Sequence, residues 1–346
     1  MHDSQSLHSD GGANASANVS ANVPANVSAT TPARQPGGVF KTWIPCLLAL
    51  FAIPLLFAGN PFYIHLAVLI CLNIIFVNGL ALINRTGQLS FCHAAFMGMG
   101  AFVSVICSTR LHTPFLLSVA AGVAVSMVLA YLLGAVILRL QGVYFVLVTF
   151  CFGELFRLVL LEGGELTGGA NGIANIPPAS LLGFAFDTKL SFYWLAAACA
   201  FASILLLLAL FRTPKGNSLD AVGDNPDLAE ASGISIQGSQ MFAFVLGSAF
   251  AGFTGALLAH YLGFVSPESF NQSISVAAII MLVIGGRGSV LGPILGALIM
   301  TPLPELFRSA IETQNIMYGI TLILVLKFLP SGLVGIHSKL FGKAGK

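Results

Sequence analysis

Arg212-Thr-Pro-Lys-Gly-Asn-Ser-Leu-Asp-Ala-Val-Gly-Asp-Asn-Pro-Asp-Leu-Ala-Glu-Ala-Ser-Gly-Ile234 is a long polar stretch with an apolar run of membrane length on either side. Charged residues make up 8% of the chain and apolar residues 56%, whereas a typical soluble domain is about 25% charged. Mean hydropathy is +0.90. A hydrocarbon core of roughly 30 Å needs about 20 apolar residues in a helix, and many runs here reach that length. The fold class is therefore all-α, a polytopic helical membrane protein. A membrane β-barrel would instead show short alternating segments.

Ten spans are expected, at about 43–59, 61–82, 87–108, 113–138, 142–161, 190–211, 240–263, 273–286, 289–303 and 315–330. The eighth and ninth are short and also read as half-helices meeting at Gly285-Gly286-Arg287-Gly288, so 8–10 transmembrane helices are expected. Residues 1–40 form a low-complexity tail whose Ala-Asn-Val-Ser repeat at 13–28 has no large apolar residue beyond Val, expected to be disordered and cytoplasmic. Its Asn14, Asn18 and Asn26 sequons would not be glycosylated there. Residues 41–336 make the transmembrane domain and 337–346 a basic cytoplasmic tail. Lys and Arg concentrate on one side when both termini and the 212–240 loop face the cytoplasm.

The polar loop carries helix signals. Asn225 suits an N-cap, Pro226 the first helical position, Asp227 the positive helix end and Gly233 the stop. Leu228, Ala229 and Ala231 beside Glu230 suit protein docking, and Ser218–Asp224 reads as a further turn. Small residues recur at helical spacing as Ser90, Ala94 and Gly98, as Gly247, Ala251, Gly255 and Ala259, and as Gly288, Gly292 and Gly296, letting helix backbones approach closely. Gly87, Gln88 and His93 lie in the same run as the first ladder. Arg85-x3-Leu89-Ser90 echoes Arg287-x3-Leu291-Gly292, as an internal repeat or by chance. Glu154 and Arg157, at i and i+3, predict an intramembrane ion pair. Thr167-Gly-Gly-Ala-Asn-Gly-Ile173 reads as a tight external turn. The six cysteines fall inside apolar runs as small buried residues. No metal site, cofactor or catalytic cluster is expected, and no Walker pattern occurs, so ATP would be bound by partner subunits.

Several stretches together resemble a known family. They are Gly87-Gln-Leu-Ser-Phe-Cys-His-Ala-Ala-Phe-Met-Gly-Met-Gly-Ala101, Phe152-Gly-Glu-Leu-Phe-Arg157 and Leu166-Thr-Gly-Gly-Ala-Asn-Gly-Ile173. Asp224–Ile234, Ala259–Pro267, Gly285–Pro293 and Pro330-Ser-Gly-Leu-Val-Gly335 continue the pattern. Over about 43–336 the chain resembles branched-chain amino acid ABC transporter permease subunits of the LivM type. The resemblance implies an ABC importer permease fold in a bacterial inner membrane. It also implies a second, LivH-like permease subunit, two ATP-binding subunits and an extracytoplasmic substrate-binding protein, with no nucleic-acid partner. The 217–234 region resembles the family's ATPase-coupling segment. Relatives commonly carry basic residues at the positions of Asp220 and Gly223, which implies a more acidic surface here. The substrate class it implies is Leu, Ile or Val, with urea or short amides as the alternative. A secondary transporter or channel is the rival class.

Overall fold

The computed structural model describes residues 60–140, 142–181, 183–286, 290–303 and Gly319. All belong to the compact unit Leu47–Lys346. The expected tails, the span at 43–59, the span at 315–330 apart from Gly319, and Arg287 and Gly288 lie outside the described residues.

Among the described residues, ten α-helices of six residues or more organise the chain. They are α1 Pro61–Asn84, α2 His93–Arg110, α3 Phe115–Ile137, α4 Val143–Glu162, α5 Lys189–Leu210, α6 Pro214–Asp224, α7 Pro226–Ala231, α8 Ile236–Leu262, α9 Gln272–Gly285 and α10 Leu291–Met300. Among the described residues, six segments are long and apolar enough to cross a membrane: α1, α3, α4, α5, α8, and α9 with the 3₁₀ turn Pro267–Phe270 before it. This is a multi-pass membrane protein. Local chemistry sets many of the helix starts. Asn60 accepts from the Phe62 amide ahead of α1, Thr188 and Ser191 cap each other's backbone ahead of α5, and Ser235 accepts from Gly238 ahead of α8. These contacts satisfy amides that have no partner within the helix.

The core is built around α8, which packs on α1, α2 and α3. Glycines let these backbones touch. A Cβ on Gly79 would stand 2.6 Å from the Gly247 carbonyl oxygen, and one on Gly122 2.5 Å from that of Gly100. Cβ atoms on Gly100 and Gly255 would overlap the carbonyls of Gly252 and Met97. The Gly247, Ala251, Gly255, Ala259 ladder is buried along its length, as its spacing predicts. A hairpin of α9 and α10 closes similarly, with Gly292 against Gly285 and Gly286, and Gly296 against Met281.

Two expectations change here. Span 87–108 is not one helix: residues 88–92 are non-helical, so Gly87, Gln88 and Ser90 precede α2 and only Ala94 and Gly98 share its surface. The 85–90 and 287–292 echo does not extend to the backbone, because Ser90 sits in that break while Gly292 lies inside α10.

One end of the bundle carries a small folded cap. Ile173–Ala174 (β1) pairs antiparallel with Phe264–Val265 (β4), and Ser180–Leu181 (β2) with Phe184–Ala185 (β3). The Thr167–Ile173 glycines serve packing: Gly168 and Gly172 have φ of +75° and +67°, and a Cβ on Gly172 would overlap the Val265 carbonyl. His260 ties the cap down, with Nδ1 2.8 Å from the Pro177 carbonyl and Nε2 3.1 Å from the Ser104 hydroxyl. The cysteines at 71, 92, 107, 151 and 199 are free; Cys71 and Cys92 are buried as expected, but Cys151 is exposed.

Candidate functional site

The polar loop folds into two short helices. Thr213 caps α6 and Asn225 caps α7, whose first residues are Pro214 and Pro226. The Asn225 side chain accepts from the Leu228 amide at 3.1 Å. Gly233 has φ +81°. The Gly233 amide bonds the Glu230 carbonyl, and the Ile234 amide reaches the Ala229 carbonyl at 3.0 Å. Such a stop needs a residue tolerant of the left-handed region. The expected turn at Ser218–Asp224 is therefore a full helix from Pro214. Thr213-Pro214 repeats the cap signal of Asn225-Pro226, but Gly216 and Gly223 inside the segment lower its intrinsic helicity.

Tertiary contacts hold α6 in place. Leu219 and Val222 are buried. A Cβ on Gly216 would stand 2.5 Å from the Leu210 carbonyl oxygen, and one on Gly223 would overlap the Arg85 carbonyl. The Arg85 guanidinium donates to Asp220 at 2.9 and 3.1 Å and lies 3.6 Å from the centre of the Phe211 ring. Asp220 is paired with Arg85 while its side chain stays 41% exposed, and Gly223 faces the end of α1. Across residues 224–233, Ala229 is buried while Asp224, Asn225, Pro226, Asp227, Glu230 and Gly233 are exposed. Leu228 is 65% exposed, an apolar side chain presented on a polar helix.

Just beyond Arg85 lies the break at 88–92. Distant helices supply two acceptors here: the Phe91 amide in the break donates to Thr149 Oγ1 at 3.3 Å, and the Ala94 amide at the start of α2 to Ser275 Oγ at 3.0 Å. Non-helical backbone inside a membrane protein needs such partners. His93 Nε2 lies 3.0 Å from the Phe76 carbonyl. Ala94 and Gly98 face the α9 side, the latter against Phe270.

A polar seam runs along α4 from this break. Thr149, Gly153 and Arg157 are four residues apart and share one helical face. Gly153 meets Gln272, whose side-chain NH₂ donates to the Phe150 carbonyl at 2.7 Å. Arg157 Nε donates to Glu154 at 2.9 Å, the expected ion pair, and the guanidinium also bonds Glu268, which the sequence did not point to. The buried oxygens Gln88 Oε1, Asn271 Oδ1 and Gln272 Oε1 have no donor among the described residues. Thr149, Ser275, Gln272 and Glu268 were missed from sequence; the four-residue spacing on α4 was the available signal.

Residues 62–326 match the family described as the branched-chain amino acid transport system / permease component. The chain belongs to that family. Among relatives of this permease, the high-affinity branched-chain amino acid transport system permease protein LivM of Salmonella typhimurium is 30% identical over 73% of the chain and 65% of its own length. LivM of Escherichia coli is 31% identical over 78% of the chain and 69% of its own length. The autoinducer 2 import system permease protein LsrC of an Enterobacter strain is 29% identical over 84% of the chain and 82% of its own length. The permease thus spans about two thirds of the length of the two LivM proteins. No solved structure matches it.

Proposed function

We propose that this chain is a permease subunit of an ATP-driven importer of leucine, isoleucine and valine in a bacterial cytoplasmic membrane. It pairs with a second, LivH-like permease, rests on two ATP-binding subunits and receives substrate from an extracytoplasmic binding protein. ATP is bound by the partners. The single observation that carries this reading is the docking module: α6 is anchored to the bundle while α7 presents Leu228, Asp227 and Glu230 outward. The end bearing Arg85 and the 212–235 loop then faces the cytoplasm, and the β-paired cap faces the binding protein. The seam from Glu268 to Thr149 is the route offered to substrate, with side-chain oxygens suited to an ammonium group.

Substrate choice rests on the two LivM relatives, and LsrC supplies the competing case. The test is uptake of labelled leucine by vesicles carrying the co-expressed subunits. ATP-dependent uptake blocked by valine and indifferent to autoinducer 2 is the expected result; the reverse pattern overturns the substrate assignment. Replacing Glu230 with Ala and Gly233 with Val together is expected to abolish uptake with insertion unchanged, since the Val must adopt φ near +81°. Normal uptake in that double variant would remove α7 from the coupling role.

A further inference from the structure

The docking module and the broken helix meet at one residue. Arg85 is the first residue after α1, and its side chain is 7% exposed. α6 holds it twice. The Asp220 carboxylate takes the guanidinium, and Gly223, one turn on, lies against the Arg85 carbonyl so closely that no Cβ fits. The nearest atoms beyond belong to Gly87, whose φ of +80° turns the chain into the break.

On the far side of the break, the hydrogen bonds lead to α4 through Thr149 and to α9 through Ser275. A continuous physical chain therefore runs from α6, through Arg85 and residues 86–92, to both walls of the polar seam. Backbone contact and a charge-assisted hydrogen bond at 2.9 Å leave little room to absorb a shift of α6.

We propose that the Arg85–Asp220 pair, closed by Gly223, is the joint that transmits movement of the docked α6–α7 module to the 88–92 segment. The inference rests on the importer reading. Arg85 and Asp220 are positioning residues and touch no substrate. A motion at the docking surface shifts an equilibrium elsewhere only through contacts that differ between the two states. This joint lies between the module and the seam, where such a differing contact would act.

The test uses the whole complex with its ATP-binding subunits. A reporter thiol is placed in the break as Leu89→Cys, with the native cysteines replaced, and its labelling rate is read with and without ATP. In the otherwise unchanged chain, ATP is expected to change that rate. Asp220→Asn is expected to abolish the change and to lower leucine moved per ATP by about tenfold, within the usual range of coupling between two sites. Complex assembly and ATP hydrolysis continue. The reversed pair Arg85→Asp/Asp220→Arg is expected to regain part of the response. A thiol that labels alike with and without ATP overturns the joint. So does an ATP response that survives in Asp220→Asn. Failure of the importer reading looks different: no ATP-binding subunits co-purify with the chain, and leucine uptake persists when ATP is depleted.

Discussion

Gly100→Val is expected to leave almost no folded protein in the membrane. Gly100 sits where three helices meet: its own Cβ would overlap the Gly252 carbonyl of α8, and a Cβ on Gly122 of α3 would stand 2.5 Å from the Gly100 oxygen. The Ser126 hydroxyl stitches the same point, donating to the Gly122 carbonyl at 2.8 Å and the Phe96 carbonyl at 3.3 Å. The obstacle is backbone, so no change of rotamer relieves it and the helices must part. Overpacking a core normally costs about 1–3 kcal/mol because side chains shift; here that relief is missing. Lipid contacts replace lost helix contacts, so separation brings no hydrophobic return, only lost packing. The comparison is Ala120→Val on exposed α3 surface, expected to accumulate normally. The amount of monodisperse protein extracted in mild detergent measures both. Equal yields would mean that the α2, α3 and α8 backbones do not touch.

How far the fold could be read from sequence follows the reach of the forces. The α7 cap and stop depend on Asn225, Pro226 and Gly233, all within a few residues, and the sequence suffices for them. The α8 ladder is likewise local in spacing, as is the Glu154–Arg157 pair. The break at 88–92 is different. Leu89-Ser-Phe-Cys-His-Ala-Ala-Phe96 is apolar enough to continue a helix; Gly87 at φ +80° turns the chain, and Thr149 and Ser275, 58 residues from Phe91 and 181 from Ala94, take up the freed amides. The length of α6 also depends on tertiary packing: its glycines disfavour helix in isolation, yet they are what lets it lie against Leu210 and Arg85. The Arg85 partner of Asp220 was not legible because it is 135 residues away. Glu268 was invisible for the same reason, 111 residues from Arg157.

The second large effect is expected at the break itself. Ser275 is fully buried, and its hydroxyl oxygen is the acceptor for the Ala94 amide at the start of α2. No side chain caps α2 from its own N-cap position, which is Cys92. Ser275→Ala should therefore strand a buried donor, at about 1–3 kcal/mol, with no bulk water in the bilayer core to replace the acceptor. At about 1.4 kcal/mol per tenfold, uptake is expected to fall by roughly one to two orders of magnitude. Binding of the ATPase subunits should be unchanged, because Ser275 is on α9, away from α7. Ser275→Thr keeps the hydroxyl and is expected to retain most transport. Thr149→Val removes the other support, the acceptor for the Phe91 amide. Because both serve one segment, the double variant Ser275→Ala/Thr149→Val should lose less than the two single losses combined, since a break released at one end gains little from its other tie. Transport rates of the four forms in reconstituted vesicles form the cycle. Strict additivity would mean that the two hydroxyls hold independent elements. Wild-type transport in Ser275→Ala would mean that the geometry of the break does not limit translocation.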